Sequence, residues 1–184
     1  MGWQAGKGLG PSGLSPEDRQ TTGGTPKNAQ LPAALAQHPF AQGFEPREID
    51  QLAALARPVR FAKDEIVYRE GEECDDFYLV VSGRVILEIT PPSGTFTFGT
   101  VEAGDEFGWT AVLGSHDRVL QARALQDTEV LAFDAARLRA LCESDTALGY
   151  DLMRKLLAAA VERLQAVRLE VMDLYWPVAH RAGA

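Results

Sequence analysis

Between residues 59 and 134 the apolar residues recur at every second position. That period commits the middle of the chain to β-structure, because successive side chains of a strand face opposite sides. Short runs at 59–61, 65–69, 77–82, 84–90, 96–101, 119–125 and 128–133 are separated by Gly, Asp and Pro. Strands so brief at such even spacing predict an antiparallel sandwich or barrel. Ser82-Gly83 reads as a tight hairpin, since Gly permits positive φ, and Gly71 and Gly104 mark further turns.

Helical periods flank this block. Over 31–56 Pro46 suits a first turn, and Ile49, Leu52, Ala53 and Ala56 recur at helical spacing until Pro58 stops the ladder. A short helix is expected over 134–141 with Asp134 as its N-cap. The longest periodic segment occupies 144–176, with Pro177 read as its stop and 177–184 as a tail. In it Met153, Leu157, Ala160, Leu164, Val167, Val171 and Leu174 alternate spacings of four and three, the a/d rhythm of a coiled coil. A second apolar line, Leu152, Leu156, Ala159, Ala166 and Leu169, lies beside it. One line can cover the barrel while the other pairs with a second copy; the alternative is that both cover the chain's own core.

Bulk composition narrows the function classes. A chain of 184 residues with 46% hydrophobic content buries a proper core, here assigned to residues 31–143. A net charge of −8 argues against a general nucleic-acid surface and against an anionic membrane. No apolar run approaches the ~18 residues that span a bilayer, and no signal-peptide core is present, so a soluble cytoplasmic protein is expected. Cys74 and Cys142 form no CxxC pattern and read as reduced, structural thiols. Residues 1–30 carry seven Gly and three Pro and read as a flexible tail, in which Trp3 is a lone aromatic. His38, His116 and His180 are the only histidines and form no His-x-His pair. With no Ser/His/Asp or Cys/His arrangement either, the expectation is no enzyme, no catalytic residue, no metal and no cofactor.

The stretch Phe107-Gly108-Trp109-Thr110, followed by a polar loop and Arg118-Val119-Leu120, carries the chemistry. A strand end, a Gly, a short helical turn and one arginine before a new strand make an anion cradle: backbone amides meet a guanidinium. Counting along the strand, Arg118, Leu120, Ala122 and Ala124 share one face, apolar after the arginine as an inner barrel wall should be. Arg123 then points outward as a solvated residue. An inward Arg118 needs either a bound anion or an internal carboxylate, for which Asp105, Glu106 and Asp117 are the candidates.

This stretch resembles the phosphate-binding cassette of the cyclic-nucleotide-binding domain family, where Phe-Gly-Glu, a short helix and Arg-x-Ala follow in order. Gly108 and Arg118 match; Trp109 stands for the glutamate and Leu120 for the small alanine. Residues 69–85, with Gly71, Asp75, Phe77, Tyr78 and Gly83, resemble a second signature of that family, and 103–108 resemble its Gly-Asp-x-Phe-Gly run. The resemblance spans about 31–176. It implies an eight-stranded antiparallel jelly roll with flanking helices, like the sensor domain of Crp/Fnr-type regulators, whose corresponding long helix forms a parallel dimer seam. Too few residues follow Pro177 for a helix-turn-helix, so no DNA binding is expected.

In the resembled family the arginine pairs the cyclic phosphate and the glutamate accepts from the ribose 2′-hydroxyl. Losing a hydrogen bond to a charged group costs ~1.5–3 kcal/mol, roughly ten- to a hundred-fold in affinity. The indole of Trp109 either stacks on a ring, fills the pocket or packs under the helix. The expectation is therefore a homodimeric sensor domain that binds a small anion, a cyclic nucleotide or a relative, through Phe107, Gly108, Trp109, Thr110, Arg118, Val119 and Leu120, and signals to a partner protein. The alternative is a ligand-free oligomerisation or docking module.

Overall fold

A computed structural model describes residues 30–73, 75–89, 94–114 and 118–181, with side chains described as far as residue 168. The expected tails, Cys74, His116, Asp117 and His180 lie outside the described residues or side chains.

The chain opens with α1 (Leu31–Gln37), a 3-10 turn (Pro39–Ala41) and α2 (Pro46–Ala53). Pro46 sits in the first turn of α2, where its missing N–H is no loss, and Glu48 Oε2 accepts from Glu45 N at 2.8 Å. His38 begins the 3-10 turn: its Nδ1 accepts from Phe40 N at 3.2 Å, so its Nε2 donates to Val80 O at 3.0 Å. Burial holds this neutral imidazole below its usual pKa.

Eight strands follow: β1 (Ala56–Phe61), β2 (Ile66–Tyr68), β3 (Asp76–Ser82), β4 (Arg84–Ile89), β5 (Phe96–Glu102), β6 (Glu106–Phe107), β7 (Gln121–Ala124) and β8 (Thr128–Asp134). They form two antiparallel four-stranded sheets, ordered β1-β8-β3-β6 and β2-β7-β4-β5, the jelly-roll arrangement. Pro58 does not end a helix. It lies inside β1 opposite Leu131, with Ala56 opposite Phe133, and β1 is an edge strand, where a sheet tolerates proline.

The first sheet is covered on both faces. Tyr78, Val80, Val130 and Ala132 point into the barrel with Val85, Leu87, Ala122 and Ala124 of the second sheet. Phe77, Leu79, Leu131 and Phe133 point the other way, into a second core with the helices. That core is completed by α3 (Ala135–Ser144), capped by Asp134 through Arg137 N at 2.8 Å, and by Leu148, Leu152 and Leu156 of α4 (Thr146–Arg181). An ion pair of 2.6 Å between Arg47 and Asp145 ties α2 to the start of α4. A Cβ on Gly149 would lie 2.7 Å from Cys142 O, so α3 and α4 approach as closely as they do only because that residue is glycine. The helix also runs past Pro177, to Arg181.

The Ser82-Gly83 turn is not a hairpin. β3 and β4 belong to different sheets, and the turn carries the chain across the barrel edge. Gly83, at φ +94°, is pressed onto the β7–β8 connection, where a Cβ would come within 2.5 Å of Thr128 Oγ1 and 2.6 Å of its Cα. Arg123 points outward as counted and stays partly exposed, but it is tied down by an acid. Its Nε and Nη2 donate to the two oxygens of Glu88 at 3.0 and 2.9 Å, with Gln121 Nε2 adding a third bond at 2.9 Å. The hydrogen bond from Arg123 holds the Glu88 carboxyl below its usual range, against the opposing effect of burial.

Two outcomes test this framework. Gly83→Ala should lower the stability measured by urea unfolding by more than about 2 kcal/mol, since it combines left-handed strain with a backbone clash; an unchanged midpoint would contradict the packed turn. Glu88→Gln should cost about 1–3 kcal/mol at neutral pH. Because the native carboxyl titrates below its unfolded value, its contribution is present above the ordinary glutamate range and is lost as pH falls through the native value. The wild type and the variant should therefore converge in acid, and a constant gap would contradict the pairing.

Candidate functional site

β6 ends at Phe107; Gly108 follows with φ +80° and leads straight into a 3-10 turn (Trp109–Ala111). The glycine is required twice over. It takes a left-handed conformation, and a Cβ there would sit 2.8 Å from Asp76 O and 3.0 Å from Arg118 Nη1. The turn's first internal bond runs from Ala111 N to Gly108 O at 3.1 Å, which puts the Trp109 and Thr110 amides outside its own ladder.

The space left by Gly108 is taken by Arg118, only 4% exposed. Its Nη2 donates to Asp76 O at 2.7 Å, its Nη1 more weakly to Gly108 O at 3.4 Å, and its guanidinium lies 4.1 Å above the centre of the Tyr68 ring. Its Nε is buried without a partner. The main chain is fixed as well, by Arg118 N to Glu72 O at 2.9 Å and Gly71 N to Arg118 O at 2.8 Å. Two of the carboxylates considered as partners are engaged elsewhere. Asp105 caps a turn through Glu102 N at 2.7 Å, and the burial-raised carboxyl of Glu106 faces Arg163. The third, Asp117, lies outside the described residues. Dipoles and a π face thus surround the cation among the described residues, and a full negative charge does not.

Beneath it Phe107 stacks on Tyr78 at 4.7 Å and faces Tyr68 at 6.1 Å. Phe107 is fully buried in the barrel core and does not border the cavity above, because strand alternation turns it inward. Tyr78 donates to the Asp76 carboxylate at 3.4 Å, and burial pushes its hydroxyl well above the usual tyrosine range.

A cavity of about 310 Å³ opens beside Arg118. The cassette lines it with Gly108, Trp109, Thr110, Arg118, Val119 and Leu120; the strands add Tyr68, Leu87 and Phe98; α4 adds Ala160, Arg163, Leu164 and Val167. Trp109 packs against the helical core and forms a wall of the cavity without filling it. Arg163 lies 5.4 Å from the centre of its ring and donates to Glu106 O at 3.1 Å. A neighbouring space shares Leu87, Phe98, Arg163 and Val167 and is bordered by Asp105, Glu106 and Glu162.

The apolar line expected to pair with a second copy is divided by the fold. Met153 packs on the helical core; Ala160, Leu164 and Val167 line the cavity; the side chains of Val171 and Leu174 lie outside the described ones. Among the described side chains the exposed large apolar residues of α4 are Tyr150, Leu157, Val161 and Leu164, of which Leu157 and Leu164 belong to the expected line. Tyr68, Phe98 and Arg163 were invisible as site residues, since only the barrel's closure and the path of α4 bring them to the cassette. The one signal for Arg163 was a cation set within an apolar helical line.

Among the described residues no cluster of His, Cys, Asp and Glu could hold a metal ion, and no helix is long and apolar enough to cross a membrane. Residues 58–145 match the model of the cyclic nucleotide-binding domain. The chain is 27% identical over 141 residues to a CRP-like cAMP-activated global transcriptional regulator of Mycobacterium tuberculosis, covering 76% of this chain and 61% of that protein. A protein of Geobacter metallireducens GS-15 named for cyclic-nucleotide binding superposes with a TM-score of 0.66 at 26% identity, over 72% of this chain and 97% of its own. The catabolite activator protein of Thermus thermophilus superposes with a TM-score of 0.61 at 28% identity, over 74% and 62%. Residues 58–145, with the jelly roll and the buried arginine of the cassette, thus form a domain of the cyclic-nucleotide-binding kind.

Proposed function

We propose that the chain is a sensor domain whose ligand is a small anion taken up at Arg118, and that occupancy of the cavity is read through α4. The observation that carries this is the guanidinium itself. A cation almost fully out of water, with an Nε unpartnered and no ion pair to a carboxylate among the described residues, borders an open cavity. A buried polar group is satisfied in nearly every folded protein, and an entering anion satisfies this one. Because α4 closes the same cavity with Ala160, Arg163, Leu164 and Val167, a ligand that favours one position of the helix shifts its population. The relatives' names fit this use: one is a cAMP-activated regulator, another the regulatory subunit of a cAMP-dependent protein kinase from Dictyostelium discoideum.

The output is a partner protein reached through a homodimer that pairs along Leu157, Val161 and Leu164. These residues are exposed and heptad-spaced, which supports a helix-to-helix seam. The net charge of −8 supports a role in the cytoplasm away from nucleic acid and membrane surfaces. Leu120 and Trp109, where the family has a small residue and an acid, favour one other reading: a domain that has lost its ligand and serves as a scaffold.

Calorimetric titration with a panel of phosphate, carboxylate and cyclic-nucleotide anions separates the two. At least one should bind, and Arg118→Ala should weaken it by roughly ten- to a hundred-fold; silence across the panel contradicts the sensor and leaves the scaffold. Leu157→Glu should leave a folded species of half the mass in sedimentation equilibrium, and an unchanged mass would contradict the seam.

A further inference from the structure

Resting on the anion-sensor reading, we infer that the ligand is an organic anion with an apolar body, such as an aryl phosphate, in place of a ribose-bearing nucleotide. The charged end is set by two arginines on different elements. Arg118 borders the cavity from the barrel with a guanidinium whose Nε has no partner among the described residues, and Arg163 adds a second positive charge from α4. Arg163 is held at the cavity by Glu106 O and the face of Trp109, with the Glu106 carboxyl facing it from the neighbouring space.

The rest of the wall does not suit a sugar. Leu87, Phe98, Leu120 and Leu164 face the cavity, and the Trp109 indole and the hydroxyls of Tyr68 and Thr110 are the other polar side-chain groups on its described wall. Glu106 and Glu162, which could accept from ribose hydroxyls, border the neighbouring space and not this one. Sugar hydroxyls taken from water against leucine and phenylalanine lose their partners, whereas a ring or branched chain gains by the same burial. The volume agrees. About 310 Å³ is twice the ~150 Å³ that accommodates benzene, room for a one- or two-ring body and a charged head.

The test uses the full chain and four probes in a calorimeter: 1-naphthyl phosphate, 1-naphthol, inorganic phosphate and cyclic AMP. 1-Naphthyl phosphate should bind at least about ten-fold tighter than each of the other three. Arg118→Ala should abolish its binding and Arg163→Gln should weaken it several-fold; if Arg118→Ala does not fold, Arg163→Gln carries the test alone. Arg118-dependent binding of cyclic AMP as tight as that of 1-naphthyl phosphate overturns the inference and leaves the sensor reading standing. Binding of 1-naphthyl phosphate that neither substitution weakens overturns it as adsorption to an exposed apolar face. No Arg118-dependent binding of any probe overturns both.

Discussion

Taking a guanidinium out of water costs several kcal/mol unless dipoles or charges replace its hydration. At Arg118 the replacement is incomplete: two carbonyls and an aromatic face, with Nε left over. The arrangement exists only because Gly108 has no side chain, since a Cβ would occupy the place where Nη1 and Asp76 O meet. Asp76 is pinned in turn by Arg57 and by β3 pairing, so the carbonyl that receives Arg118 is part of the sheet and not of a loose loop. The cassette and its cavity are arranged around this one cation.

α4 then has three tasks on three faces. Leu148, Leu152 and Leu156 bury themselves on the helical core and fix the first turns. Ala160, Arg163 and Val167 roof the cavity. Leu157 and Val161 stay in water, apolar and heptad-spaced. On the sensor reading proposed above, a helix seated at its beginning and touching the site further along would carry a change at Arg118 or Trp109 to the residues beyond. The cation–π contact between Arg163 and Trp109 is where cassette and helix meet most directly.

Much of this was legible in the residues. Seven of the eight strands showed as period-two runs, and Arg118, Ala122 and Ala124 alternate inward as counted, with Val119 outward at 69% exposure. β6 entered only as a strand end at Phe107, because two residues carry no period. Other misreadings share a physical origin: local patterns do not specify long-range partners. Pro58 stops a helix and also fits an edge strand; Ser82-Gly83 turns the chain but does not choose its sheet; Arg123 finds Glu88 only through the register of β4 with β7. On α4 the apolar line was real, but which of its residues stay outward depended on the face the barrel had already claimed. Likewise Arg163 became a site residue only once α4 lay across the cassette.

The central claim is that the buried Nε of Arg118 waits for an anion. Its N–H resonance in a 15N-correlated NMR spectrum, assigned by its loss in Arg118→Lys, reports on that bond directly. Saturation with 1-naphthyl phosphate, or with inorganic phosphate at higher concentration, should move the proton downfield and slow its exchange with water. A resonance that stays in place while other cassette signals shift would contradict it, because the anion would then be held by something other than this guanidinium.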